Sequence, residues 1–288
     1  MINSSYIKER QSKMKKINIY VGNVNCTAGS GYGNTELMPL VEDIFPKNTN
    51  IPDIVILNEF YKYKDYQDFQ AYFLNKEYTV AVNPLKKKGF NDVFVAISSR
   101  LDLDIETVEY ATQDKDRISP DYTSVILRNK KNEKLAIVGV RIRSYKNLDY
   151  KGNASEFKAL LSFIEKLRKS GITQIMVAGD FNHARLLTDR NEDLTWEEIE
   201  ILYKEHAQLP HNFHGIKQNL SQNNLMLHTP EGYSYPINKS YPVHNQETPN
   251  DHLVTSNDCE IDFIEYRDET KYSDHKALVA TLHFNRKD

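Results

Sequence analysis

The stretch Gln174-Ile175-Met176-Val177-Ala178-Gly179-Asp180-Phe181-Asn182-His183 decides how the chain folds. Its first half is apolar and carries Ile and Val, the composition of a short strand buried on both faces. At Gly179 the run breaks, and a carboxylate, a carboxamide and an imidazole follow within four positions. A strand that stays apolar to its last residue and then shows several polar groups delivers them to a cleft. In α/β proteins such clefts lie at the carboxyl ends of strands. The same residues also suit a plain Gly-Asp turn closed by an Asx hydrogen bond. The stretch alone leaves both readings open.

At 288 residues the chain has the length of one large domain or two ordinary ones. Hydrophobic residues at 40% and charged residues at 27% describe a soluble globular protein with enough apolar mass for a core. The 18 Tyr suit half-buried strands and polar-edged clefts. A formal charge of −3 argues against a broad basic face for coating a duplex, while leaving room for a local phosphate pocket. Cys26 and Cys259 give neither a disulfide framework nor a Cys-based zinc site, and read as buried thiols of a reducing compartment. The N-terminus is charged and lacks an apolar h-region, and no apolar run is long enough to span a bilayer. The expectation is a cytoplasmic protein without a membrane span. Residues 1–14 read as a polar lead-in with the composition of a mobile segment, and residues 15–288 as a single domain.

Upstream of the opening stretch, Lys16-Ile17-Asn18-Ile19-Tyr20-Val21-Gly22-Asn23 alternates polar and apolar residues and reads as a strand ending at Asn23. The loop after it holds Gly29, Gly31 and Gly33 but lacks the Lys-Ser/Thr ending of a phosphate-cradling loop, so it reads as a connection. Asn34 or Thr35 then caps a helix through Val41 to Phe45, stopped before Pro46. Asp53-Ile54-Val55-Ile56-Leu57-Asn58-Glu59 is a second buried strand with an acid at its far end. Tyr66, Phe69, Phe73 and Leu74 stand at helical spacing within residues 61–75. Strands are expected over 78–82, 93–98, 105–111, 124–128 and 135–143. Lys86-Lys87-Lys88 is a solvated run, or a steering patch for a polyanion if it borders a cleft.

The clearest helix covers 155–169. Asn153 and Glu156 have capping-box spacing, Phe157, Leu160, Leu161, Ile164 and Leu167 form one stripe, and Gly171 ends it. Thr195-Trp196-Glu197-Glu198 opens another helix with a capping box. Residues 210–249 are polar and rich in Asn, His and Pro, and read as long loops with one short helix. Strands over 251–256, 260–266 and 277–284 close the chain. No repeat or linker divides it. Strand runs outnumber helices and many are neighbours in sequence, which favours an α/β sandwich of mixed sheets over a strictly alternating doubly wound fold.

Polar residues gather at the strand ends: Asn23, Glu59, Asp180 with Asn182, Asp251 with His252, and Asp274 with His275. All face one cleft if the strands share a sheet end. The set is rich in oxygen and poor in imidazole, the preference of a hard cation such as Mg2+ or Mn2+. A zinc centre would want more His or Cys at local spacing, and His-Glu-x-x-His is absent. His183, His206, His211, His214, His228 and His244 read as surface or loop residues.

Taken in order, Asn23 after a strand, Ile56-Leu57-Asn58-Glu59, Gly179-Asp180-Phe181-Asn182 and Ser273-Asp274-His275 resemble the motifs of the endonuclease/exonuclease/phosphatase superfamily. These are metal-dependent phosphoesterases related to pancreatic deoxyribonuclease. The likeness spans residues 16–284 and rests on the ordered set. It implies an α/β (α+β) four-layer sandwich, two packed mixed β-sheets flanked by helices. It also implies roles. Asn23 and Glu59 would hold the divalent metal, Glu59 directly, and Asp274 would be the second metal-side carboxylate. Asp180 would orient or deprotonate the attacking water, with Asn182 on a phosphate oxygen. His275 would be the catalytic histidine that faces the phosphate. Its partner in the family is an Asp of the preceding strand pair, for which Asp251 and Asp262 compete. Asp251 fits better, because it opens a strand and leaves room for another before Ser273. Asp262 is then an ordinary alternation residue. Residues 229–234 (Thr-Pro-Glu-Gly-Tyr-Ser) resemble the family loop before this strand. In this scheme Asp251 raises the pKa of His275 and fixes its orientation.

Two positions depart from the family pattern. Arg141 stands where the family has Thr-His-Leu or a Tyr. Arg cannot act as an acid in the ordinary pH range, but it can clamp a phosphate with two hydrogen bonds. Arg141 is therefore expected to bind substrate, and Arg143, on the opposite strand face, to be a surface residue. Asn58 stands in place of the usual Gln before the metal-binding Glu, which shortens a supporting contact. The resemblance implies a Mg2+- or Mn2+-dependent hydrolase of phosphoester bonds, foremost an endonuclease or exonuclease cutting DNA by metal-assisted in-line water attack. One alternative is a phosphatase or phosphodiesterase on a small phosphorylated metabolite, nucleotide or lipid headgroup. Another is a catalytically silent member that binds a phosphate ligand or a protein, prompted by Arg141.

Overall fold

A computed structural model describes residues 16–24, 36–47, 49–84, 91–111, 119–143, 150–183, 195–235, 248–267, 273 and 275–284. The lead-in at 1–14, the glycine-containing loop, Cys26, Lys86 to Lys88, His244 and Asp274 lie outside these residues.

The described strands form two six-stranded sheets. The first contains β1 (Ile17–Asn23), β2 (Ile54–Phe60), β3 (Tyr78–Ala81), β4 (Asp92–Ser98), β11 (Cys259–Arg267) and β12 (Ala277–Phe284), in the order β11-β12-β1-β2-β4-β3. The second contains β5 (Asp104–Tyr110), β6 (Asp121–Arg128), β7 (Lys134–Arg141), β8 (Gln174–Asp180), β9 (Leu225–His228) and β10 (Asp251–Ser256), in the order β5-β6-β7-β8-β10-β9. Each sheet has one parallel pair at its centre, β1–β2 and β7–β8, and is otherwise antiparallel. Both sheets are mixed, as expected.

Strand alternation explains why the central strands read as unbroken apolar runs. Ile54 and Ile56 of β2 point to the core between the sheets, while Val55 and Leu57 join the outer cluster with Phe69 and Phe73. Likewise Met176 and Ala178 of β8 face the other sheet, and Ile175 and Val177 face Phe157, Leu160 and Ile164. A strand covered on both sides must be apolar at every position. The outer layers are α1 (Leu40–Ile44) and α2 (Tyr66–Asn75) on the first sheet, and α3 (Tyr150–Lys169) and α5 (Phe213–Gln222) on the second. The fourth helix, α4 (Trp196–Glu205), packs on α5 through Ile199, Tyr203 and Phe213. The result is the expected four-layer sandwich. Where the sheets come closest, β7 carries Gly139, and a Cβ there would meet Val93 Cγ1 at 2.6 Å and Ile56 Cγ2 at 2.9 Å.

Several boundaries differ from expectation. The longest helix, α3, starts at Tyr150, so Asn153 and Glu156 lie inside it and form no capping box. Both are buried and bind chain segments near the cleft, which is a tertiary demand that local periodicity does not report. Only five residues of the first expected helix are helical, Leu40–Ile44. The polar region 210–249 contains α5 and β9 rather than loops with one helix alone. The capping box at Thr195 and Glu198 forms as read.

Candidate active site

Strand direction gathers the polar ends. β1, β2, β7 and β8 run toward one end of the sandwich and finish at Asn23, Glu59 (one residue before the end of β2), Arg141 and Asp180. β6 and β10 pair antiparallel with β7 and β8, so they begin at that end, with Asp121 beside Arg141 and Asp251 beside Asp180. β12 runs antiparallel to β1 and begins two residues after His275.

Asp180 sits at the junction, 1% exposed. Its Oδ1 accepts from the Asn182 backbone N–H at 2.9 Å and its Oδ2 from Asn182 Nδ2 at 2.6 Å. Asn182 Nδ2 also donates to the Ile142 carbonyl at 2.8 Å, so both amide protons are engaged inside the chain. The left-handed turn that allows this, φ 40° at Asn182, is tolerated by Asn better than by most residues. Gly179 just before it has φ 151°, and a Cβ there would lie 1.8 Å from the Val140 carbonyl oxygen. Only glycine fits between the two parallel strands at this point. From the opposite sheet, the Asn58 amide donates to the Val140 carbonyl at 3.0 Å and accepts from the Asp180 N–H at 3.2 Å. The shorter residue in place of Gln thus ties the two sheets together directly. Burial and the neighbouring Asp251 carboxylate push the Asp180 carboxyl up to about 7, against the pull of His275 and Arg141.

Of Asp251 and Asp262, it is Asp251 that contacts His275. His275 Nδ1 lies 2.7 Å from Asp251 Oδ2, with Asp251 2% and His275 8% exposed. Asp262 instead pairs with Lys16 at 2.8 Å on another face of the sheet edge. Ser234 Oγ accepts from the backbone N–H groups of Asn250 and Asp251 at 2.9 and 3.0 Å, and Tyr266 donates to the Asp251 carbonyl at 2.7 Å. The Tyr235 ring stands edge-on to the His275 ring, centroids 4.9 Å apart. Ser234 ends the segment (229–234) whose wording resembles the family loop, and Tyr235 follows it directly.

Arg141 is held between two carboxylates. Its Nη2 lies 2.5 Å from Glu59 Oε1 and its Nη1 3.4 Å from Asp121 Oδ2. Burial works against the guanidinium charge, but Glu59, Asp121 and Asp180 together hold it above its ordinary value. Glu59 itself has φ 49°, a left-handed conformation that costs a non-glycine residue backbone strain. Arg143 lies at the surface as expected, its side chain 42% exposed, but it is tied down there. Its Nε donates to Glu156 Oε1 at 2.6 Å and its Nη2 to the Ser119 carbonyl at 2.8 Å, with the Glu156 side chain fully buried. A buried acid on α3 requires a cation, and the end of β7 is where one is within reach.

The donor set can be tested against a divalent cation. Asn23 is 2% exposed, and neither its Nδ2 nor its Oδ1 has a hydrogen-bond partner. Its register partner on β2 is Asn58, so it stands beside the turn that carries Glu59. A buried amide oxygen left unpaired costs free energy unless something binds it, and an oxygen-seeking cation is one such partner. Among the described residues no group of three or more His, Cys, Asp and Glu side chains is arranged to hold a metal ion. Asn23 and Glu59 therefore fit as part of a site whose remaining expected carboxylate, Asp274, lies outside the described residues.

Sequence reading missed Asp121, which follows Pro120 and opens β6 at the site end. The signal was an acid starting an apolar run, the mirror image of an acid ending one. His183 and His211, read as surface or loop residues, lie outside helices and strands but are buried, each 2% exposed. With His252 they form a packed group behind Asp180 and Asp251. His183 and His252 stack at 5.3 Å, and His211 Nε2 meets the Phe181 carbonyl at 2.9 Å.

Neither a protein-family model nor a curated protein matches the chain. Solved structures do. An endonuclease/exonuclease/phosphatase family protein from Bacteroides thetaiotaomicron is 12% identical with a TM-score of 0.64, covering 95% of this chain and 100% of that one. D. rerio TDP2, complexed with single strand DNA product, is 13% identical with a TM-score of 0.61, covering 93% and 99%. The 3′ phosphatase NExo from Neisseria, bound to product DNA hairpin, is 16% identical with a TM-score of 0.59, covering 94% and 100%. At such identities the likeness speaks to architecture: this chain has the endonuclease/exonuclease/phosphatase fold.

Proposed function

We propose that this chain is a divalent-metal-dependent phosphoesterase, foremost an endonuclease or exonuclease that hydrolyses phosphodiester bonds in DNA. The observation that carries the reading is the meeting of Asp180 with the Asp251–His275 pair at the end of the sandwich where Asn23 and Glu59 also finish. The fold is shared with proteins whose structures hold a single strand DNA product and a product DNA hairpin, which favours nucleic acid as substrate. The net charge of −3 favours the second reading, a small phosphorylated metabolite or nucleotide, over a duplex coated along its length.

A phosphodiester resists attack because its oxygens are anionic. The chain's own residues supply three things. Asp180, once ionised, accepts a proton from water and aims it, while Asn182 keeps the carboxylate from turning and Asn58 holds the Asp180 backbone N–H. Asp251 accepts a hydrogen bond from Nδ1–H of His275, which leaves the other ring nitrogen to serve the phosphate or the leaving oxygen. Asn182 reaches a phosphate oxygen only by giving up one of its two internal bonds. A Mg2+ or Mn2+ ion held by Asn23, Glu59 and Asp274 would neutralise charge that builds on the phosphate oxygens. Arg141 stands beside that position as a clamp for the same anion.

The deciding experiment incubates the chain with Mg2+ or Mn2+ against plasmid DNA, abasic oligonucleotide, RNA and a panel of small phosphoesters. His275→Ala and Asp180→Ala run alongside, with EDTA as the metal-free control. Strand cleavage lost in both variants and in EDTA is the expected result. Turnover of small esters only would select the second reading. Cleavage that survives His275→Ala would mean that the centre is elsewhere.

A further inference from the structure

Glu59 is asked to serve two cations. In the phosphoesterase reading, on which this inference rests, it holds the divalent metal. In the structure it accepts from Arg141 Nη2 at 2.5 Å, with the two side chains only 15% and 12% exposed. We infer that Arg141 and the divalent cation compete for Glu59, and that a phosphate anion settles the competition by drawing the guanidinium onto itself. Metal and phosphate then load the site cooperatively, each removing an obstacle to the other.

Three features carry this. First, the left-handed Glu59 backbone directs its side chain off the end of β2, where it meets Arg141, so a cation arriving at that carboxylate meets the guanidinium already there. Second, Arg141 has somewhere to go. Asp121 lies beside it in register on β6, with a contact of 3.4 Å that is longer than the one to Glu59. The guanidinium can pivot onto Asp121 and keep a carboxylate partner while its fork turns to an anion. Third, the cluster is acidic. Glu59, Asp121, Asp180 and Asp251 face Arg141 and His275, and the buried Arg141 Nε has no hydrogen-bond partner. A second cation is accommodated by such a set, and an incoming anion finds an unused donor. Each ligand's effect on the other must be equal, because binding linkage is reciprocal.

The test titrates Mn2+ into the metal-free chain by calorimetry, with and without saturating inorganic phosphate. The chains compared are wild type, Arg141→Gln, Asp121→Asn and Glu59→Gln. Arg141→Gln should bind Mn2+ roughly tenfold tighter without phosphate, within the usual range for coupled sites. Phosphate should tighten Mn2+ binding to wild type and do so much less in Arg141→Gln. Asp121→Asn, which leaves the guanidinium leaning on Glu59 alone, should weaken Mn2+ binding. Damage to the fold would weaken binding in both variants, so opposite signs separate competition from instability. If Arg141→Gln binds Mn2+ no tighter than wild type, or keeps the full phosphate effect, the competition is overturned while the metal centre stands. Mn2+ binding untouched by Glu59→Gln overturns the metal centre itself, and the competition with it.

Discussion

Asp180 is placed where its charge is unfavourable, and the proposed mechanism needs that charge. Its carboxyl stands near 7, raised from the ordinary 3.8, so the folded state binds this proton more tightly than the unfolded chain does. A raised carboxyl contributes stability in full below the unfolded value, and that contribution is lost as pH rises through about 7. Asp180→Asn cannot ionise. Its melting temperature relative to wild type should therefore rise between pH 4 and pH 8, by the equivalent of a few kcal/mol on the scale of about 1.4 kcal/mol per unit. Calorimetric melts across that range test this, and a flat difference would sink the assignment. In the proposed mechanism the same proton sets the rate. Turnover should climb as pH passes through about 7 in the metal-loaded enzyme, or at lower pH where the cation draws the carboxyl down. For the pair behind it, Asp251→Asn keeps the shape but removes the carboxylate on His275 Nδ1. Turnover should fall by at least about a hundredfold with little change in KM, as measured by steady-state kinetics.

At the scale of elements, β8 and β10 carry the site on one edge and bury a set of imidazoles on the other. Burial pushes His211 down to about 4 and His252 well below its usual value. A lowered histidine stabilises the fold above its unfolded value near 6.5 and ceases to do so as pH falls toward its folded value. The chain should lose stability between pH 6.5 and 4, with about 3 kcal/mol traceable to His211. His211→Gln keeps a donor for the Phe181 carbonyl and should flatten that pH slope in urea unfolding. An unchanged slope would place the acid lability elsewhere. These helices and strands were read from periodicity with fair success where both faces of a strand are covered, as at β2, β4 and β8. Periodicity failed at the start of α3 because Asn153 and Glu156 answer to Arg143 and Asn182, which lie on other segments.

Across the whole molecule, the site depends on the distance between two sheets. Gly139 sets that distance two residues before Arg141, and an added methyl would press on Val93 and Ile56 from the facing sheet. Gly139→Ala should cost about 1–3 kcal/mol in urea unfolding, the usual cost of overpacking. It should also lower turnover by more than its loss of folded fraction explains, because Arg141 and Asp180 would move away from Glu59 and Asn58. Full activity in a destabilised Gly139→Ala would show that the sheets tolerate the shift.

The sequence by itself determined that apolar strands end or begin at acids and amides. The order of its strand runs favoured the mixed-sheet sandwich, while Asp251 as partner of His275 followed from the family resemblance. Those features are local, because side-chain period and chain order are written residue by residue. Only the tertiary structure decided that Arg141 is held by Glu59 from the other sheet, 82 positions away, and by Asp121 from the next strand. It also decided that Asn58 joins the sheets and that the imidazoles behind the site are buried. Which charge meets which depends on strands folding back across a shared core, and no pattern within a single strand encodes the side chain it will face there.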